Sequence, residues 1–186
     1  DIGVTGVQTC ALPIYFDQVD PELLEAVLVA KDPRSRAAGM RVLEPIADRI
    51  PNALDLVRRA AADESPRVRL EAVRTATYLR VPEAVEALAI AGEFPSDRQM
   101  DYVKKEAARV LEPDFKRARE AKQPIAFVTD AGRKYLYRSL TNDELAKEPR
   151  SLPVYREMLL RSGLDERLRQ ERSEEHTSEL QSRQYL

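Results

Sequence analysis

Two groups of cationic side chains carry most of the recognition chemistry that this 186-residue sequence could offer. Arg67, Arg69 and Arg74 crowd one short stretch; Lys104, Lys105, Arg109, Lys116, Arg117, Arg119 and Lys122 follow in a second. Several aligned phosphate contacts would make either a nucleic-acid backbone site. Asp101, Glu106, Glu112, Asp114 and Glu120 interleave with the second group, so a solvated face laced with salt bridges is expected there. Arg67, Arg69, Arg74, Lys105 and Arg109 form the candidate interaction surface. Acid–base catalysis would draw on adjacent carboxylates such as Asp143 with Glu144 or Asp165 with Glu166. No nucleophile or phosphate loop accompanies them, and the patterns GxGxxG, GxxxxGKS/T and HExxH are absent. No catalytic, cofactor-binding or metal-ligating residue is therefore expected, and the chain reads as a non-enzyme.

The ends need separate treatment. A DNA string that encodes Arg172–Leu186 (RSEEHTSELQSRQYL) also encodes, on its opposite strand, DIGVTGVQTCALPI, which is all of Asp1–Ile14. Mutual opposite-strand coding has no basis in folding, and the DNA resembles a short-read library adapter. Segments 1–14 and 172–186 are thus expected to be adapter-derived, and Tyr15–Glu171 to be an interior piece of a longer protein. The only cysteine, Cys10, and the only histidine, His176, lie in those end segments. What remains has no thiol or imidazole for zinc, c-type haem attachment or a nucleophile–base pair.

Charge narrows the partners. The 30 basic and 32 acidic residues reduce to 28 of each once the end segments are set aside. A balanced charge argues against general nucleic-acid binding. No apolar run approaches the roughly 18 residues of a membrane span.

The elements that must hold these side chains are helices. Ala, Leu, Arg and Glu dominate, and strand-type alternation is scarce. Asp20-Pro21, Asp32-Pro33 and Ser65-Pro66 each offer a capping oxygen followed by a proline at the first helical position. Val81-Pro82 opens another helix, which Gly92 is placed to stop. DPRSRAAGMR (Asp32–Arg41) aligns with SPRVRLEAVR (Ser65–Arg74), and Arg41-Val42-Leu43-Glu44-Pro45 recurs as Arg109-Val110-Leu111-Glu112-Pro113. A period near 34 predicts stacked helix pairs, each supplying a wall of its neighbour's core. Leu54, Val57 and Ala61 form one apolar stripe, and Val68, Ala72, Tyr78 and Leu79 another. After Pro113 the pattern changes: a short polar helix over Asp114–Lys122, an extended run Gln123–Thr129, a capping box pairing Thr141 with Glu144, and a helix over Leu152–Ser162 ended by Gly163. Tyr135 and Tyr137 lie two apart, so one is expected in the core and the other at the surface.

SPRVRLEA at Ser65–Ala72, and more weakly DPRSRAAG at Asp32–Gly39, resemble the HEAT-repeat motif. The resemblance covers Asp20–Pro113 and implies an all-α, right-handed α-solenoid over 15–113 with a short helical extension over 114–171. Met100–Glu171 is similar in character to the linker region of large planctomycete-type, haem-binding dehydrogenase-like proteins. In those, a sugar-dehydrogenase-like propeller precedes HEAT repeats, and a cytochrome c domain with CxxCH follows. Their haem and propeller residues have no counterpart here. The resemblance implies a non-catalytic scaffold, without a cofactor of its own, joining domains of a periplasmic or secreted oxidoreductase-like protein. Its partners would be neighbouring domains of the parent chain or another protein. A free-standing HEAT module that binds protein is the alternative; a HEAT-like nucleic-acid binder is less favoured.

Overall fold

A computed structural model describes residues 20–149 and 151–161. Both expected adapter-derived segments, with Cys10 and His176, lie outside the described residues, as do Gly163 and the Asp165–Glu166 pair. Among the described residues the chain is all-α, with nine α-helices and no strand. It divides into two compact units between Ala126 and Phe127.

The first unit contains α1 (Pro21–Leu28), α2 (Pro33–Leu43), α3 (Ala53–Ala61), α4 (Pro66–Ala76), α5 (Val85–Ala91) and α6 (Arg98–Glu120), with 3₁₀ segments at Glu44–Arg49 and Pro82–Ala84. Local chemistry starts three of the six α-helices. Asp20 accepts from the Leu23 amide at 3.0 Å, Asp32 from Arg34 at 2.8 Å and Asp97 from Met100 at 2.7 Å. Each cap satisfies an amide that the helix itself leaves without a partner. Ser65 does not cap α4 with its side chain. Its own amide donates to Asp63 at 2.8 Å instead.

Packing within this unit follows a regular order. The pairs α1–α2, α3–α4 and α5–α6 each pack together; α2 lies on α4 and α4 on α6; and α3 lies on α5. Their contact faces are apolar: Met40 and Leu43 on α2, Val57 on α3, Val68 and Val73 on α4, Val85 on α5 and Leu111 on α6 are buried. Each such side chain contributes about 1.5–3 kcal/mol of transfer free energy. Gly39 permits the closest approach, because a Cβ there would sit 2.8 Å from Leu28 Cδ2 and 3.2 Å from Val27 Cγ1. Tyr78 departs from its expected stripe. It lies beyond the end of α4 and is half exposed, so the 3.6-residue period no longer orients it.

The boundary expected at Pro113 falls inside α6, which runs unbroken to Glu120. Pro113 has no N–H to donate to the Arg109 carbonyl, an interior-helix defect of about 3 kcal/mol. Met100, Ala107, Leu111, Phe115 and Ala118 nevertheless keep one buried stripe across it, and burial of Phe115 and Ala118 offsets the defect. At the C-terminus of α6 the Gln123 amide donates to the Ala118 carbonyl at 2.9 Å, and Lys122 takes the left-handed conformation with φ 54°. A glycine would adopt that shape without steric cost.

The second unit holds α7 (Asp130–Ser139), α8 (Asn142–Lys147) and α9 (Leu152–Leu160). Thr141 and Glu144 form the expected capping box, with the Thr141 amide donating to Glu144 at 2.7 Å. Leu145, Val154 and Met158 make the core, with Tyr137 and Leu140 packed against it. Arg161 ties the last helix down by donating to the Tyr137 and Leu140 carbonyls, both at 2.6 Å. Tyr135 and Tyr137 do not divide into core and surface; both are half-buried.

Candidate functional site

The first unit is keyed by arginines that recur with its period. Arg36, buried in the first turn of α2, donates from Nε and Nη2 to the two Asp63 oxygens, each at 2.8 Å. Its Nη1 donates to the carbonyls of Ala30 and Lys31 at 2.9 and 3.0 Å. Thirty-three residues on, Arg69 repeats that lower half: Nη1 donates to the carbonyls of Asp63 and Glu64 at 2.8 and 2.9 Å. Among the described residues no carboxylate pairs with its upper half. The guanidinium lies 4.4 Å from the Phe94 ring centroid, a cation–π contact, and its buried Nε has no hydrogen-bond partner. One arginine thus fastens the turn before its own helix and reaches the turn of the next pair. Burial pushes the Asp63 carboxyl up, but the hydrogen bonds from Arg36 and the Ser65 amide outweigh it and hold the group below the usual aspartate range.

A second key joins the middles of α2 and α4. Glu71 is buried and accepts from Arg41, at 2.8 Å from Nε and again from Nη2, with Arg74 3.6 Å away on its other side. Arg74 reaches back to Glu44 at 3.1 Å, and Thr75 Oγ1 donates to the Met40 carbonyl at 3.0 Å. Burial is the main reason that the Glu44 carboxyl is raised; the Glu71 charge adds to it, while Arg74 and Arg41 oppose it. On the other layer, Arg58 of α3 donates at 2.6 Å to Glu86 of α5, which is 0% exposed, and at 2.8 Å to Asp55. Sequence reasoning did not single out Arg36, Arg41, Asp63, Glu71, Arg58 or Glu86. The signal for two of them was present in the aligned segments, where Arg36 matches Arg69 and Arg41 matches Arg74.

The five candidate surface residues therefore have different fates. Arg69 is 5% exposed and serves packing. Arg74 is tied between two carboxylates. Arg109 is exposed but pairs with Glu106 at 3.0 Å on its own helix. Arg67 and Lys105 are exposed and carry no ion pair among the described residues. Along α6, Lys104 pairs with Asp101, Lys116 with Glu112 and Arg117 with Asp114, so much of the basic stretch, though not Lys105, pairs within its own helix. At about 100° per residue, Arg109 and Arg117 each point roughly 140° away from Lys104, on opposite sides. These charges do not converge as a phosphate-tracking surface would require.

Two open grooves mark the first unit. One of 470 Å³ lies beside α1, with Leu28, Val29 and Leu56 in its wall. The other, of 830 Å³, lies between the N-terminal turns of α4 and α6. Among the described residues no group of His, Cys, Asp or Glu is arranged to hold a metal ion, and no helix is long and apolar enough to cross a membrane. Compared with protein-family models, curated proteins and solved structures, the chain has no match.

Proposed function

We propose that the first unit is a HEAT-like helical-repeat scaffold of three stacked pairs, α1–α2, α3–α4 and α5–α6, with a recognition rather than a catalytic role. The observation that carries this reading is the packing order. The second helices touch in sequence, α2 to α4 to α6, and among the described residues substantial packing joins only the same or successive pairs. A closed bundle would also bring α2 against α6. Ion pairs support the parallel stacking: Arg36 with Asp63, Arg41 with Glu71 and Arg74 with Glu44 progress in one direction along α2 and α4. Such an array owes its rigidity to neighbour interfaces and offers long exposed edges to partners.

Within that reading the scaffold holds neighbouring domains of a larger chain. The oxidoreductase and c-type haem context, and with it a periplasmic or secreted location, rests on the sequence resemblance of Met100–Glu171. A free-standing protein-binding module is the second reading, favoured by the two open grooves. Spin-label distances within the first unit, between cysteines placed on α2, α4 and α6, test the array. The α2–α6 separation is expected to be about twice the roughly 8–10 Å between packed neighbours, and equal separations would overturn it. Stoichiometric uptake of haem or a metal by the purified chain would overturn the non-catalytic reading.

A further inference from the structure

Two carboxylates on the α2–α4 seam are left incompletely matched by the ion pairs that hold them. Glu44, the first residue after α2, and Glu71, in the middle of α4, have side chains only 9% and 3% exposed. Arg41 gives two donors to a single Glu71 oxygen, Oε1, from Nε at 2.8 Å and again from Nη2. Arg74 Nη2 donates to Glu44 Oε2 at 3.1 Å, while its Nη1 lies 3.6 Å from Glu71 Oε2, too far for a hydrogen bond. Each carboxylate therefore keeps one buried oxygen without a donor, Oε1 of Glu44 and Oε2 of Glu71.

An unmatched acceptor shielded from water is costly, and a charged one most of all. The guanidinium of Arg74 faces both carboxylates, so they lie side by side. Their formal charges are cancelled by Arg41 and Arg74, but the surroundings differ. The arginines are 51% and 48% exposed and screened by water, whereas the carboxylates are enclosed. Arg41 on its own helix, and Glu71 and Arg74 on α4, are the charges that face Glu44; among the described residues no other element sets a charge against it. A single proton would satisfy both orphaned oxygens. On Glu44 Oε1 it turns an unmatched acceptor into a donor, and Glu71 Oε2 is the unmatched acceptor beside it. Glu44 is the better holder, since the two hydrogen bonds from Arg41 favour the charged form of Glu71.

We propose that Glu44 and Glu71 form a proton-binding pair, with Glu44 holding the proton and donating it in a hydrogen bond to Glu71, so that the α2–α4 seam tightens on acidification. Loss of the proton leaves two enclosed negative charges side by side and loosens the seam. Burial, and then the Glu71 charge, raise the Glu44 carboxyl above its unfolded value. The contribution of the proton is therefore complete below the unfolded glutamate range and is lost as pH rises through the raised folded value. The proposal concerns this one seam and stands or falls separately from the open-array reading.

The test is carbon-13 NMR of the full chain, labelled at the glutamate side-chain carboxyls and titrated beside a blocked glutamate peptide. The Glu44 signal, identified by its loss in Glu44→Gln, should titrate at higher pH than the peptide. Glu71→Gln removes the neighbouring charge and should shift that midpoint downward. Thermal melts give a second readout. Glu44→Gln carries a neutral donor at every pH, so it should melt above the wild type at neutral pH, and the gap should close as pH falls toward the ordinary glutamate range. A Glu44 midpoint at or below that of the peptide, or one that Glu71→Gln leaves in place, would overturn the proposal. So would a Glu44→Gln melt no higher than wild type at neutral pH. Should Glu71→Gln fail to fold, the peptide comparison and the Glu44→Gln melts decide.

Discussion

Replacing Arg58 with leucine tests whether the pairs are locked to one another by buried charge. Arg58 and Glu86 join α3 to α5, and the Glu86 carboxylate is fully enclosed. Removing the arginine leaves that carboxylate without its 2.6 Å donor in a place that water does not reach. Removing one partner of a buried ion pair costs about 3–5 kcal/mol. The value for Arg58→Leu should be about 3 kcal/mol, the lower end, because the arginine itself keeps partial contact with solvent. For a unit of this size that corresponds to a fall of about 12 °C in Tm. Glu86→Leu should cost less, about 2 kcal/mol, since the stranded guanidinium keeps Asp55 at 2.8 Å. The double variant should return to within about 1 kcal/mol of the wild type, because two leucines can fill the space without any charge to solvate. Urea denaturation followed by circular dichroism at 222 nm yields all three values and their coupling. Additive single-variant losses, or a loss below about 1 kcal/mol for Arg58→Leu, would refute the view that this pair holds successive helix pairs in register.

Three further outcomes follow from particular residues. Gly39→Ala should leave the stability of the first unit within about 1 kcal/mol in urea titration, because the gain in helix propensity offsets the displacement of Leu28 Cδ2, the tip of a half-buried side chain. Lys122→Gly should stabilise it by about 1 kcal/mol in the same assay by relieving the left-handed backbone at the end of α6. Asp63 binds its proton less readily when folded than when unfolded, so its contribution is present above the unfolded aspartate range and is lost as pH falls toward the lowered folded value. Acid titration of Tm should therefore show a shallower decline for Asp63→Asn than for the wild type below about pH 4.

What the sequence determined by itself is local. Proline at the first helical position marked the starts of α1, α2 and α4, Thr141 with Glu144 marked α8, and alternating signs along α6 foretold most of its self-pairing. These depend on neighbours within one helical turn, so a single sequence contains all the partners. Tertiary structure decided what depends on distant partners. The five letters shared by Arg41–Pro45 and Arg109–Pro113 end a helix at the first site and continue through it at the second. The difference is that Phe115 and Ala118 have a wall to bury against, whereas from Glu44 the chain turns into a 3₁₀ segment that buries Ile46 and Ala47. Likewise Arg67 and Arg69, two positions apart and equally charged, part company because one helix face meets Phe94 and the other meets water. Which arginine serves packing and which remains available to a partner is set by what lies opposite, and that is a property of the assembled array.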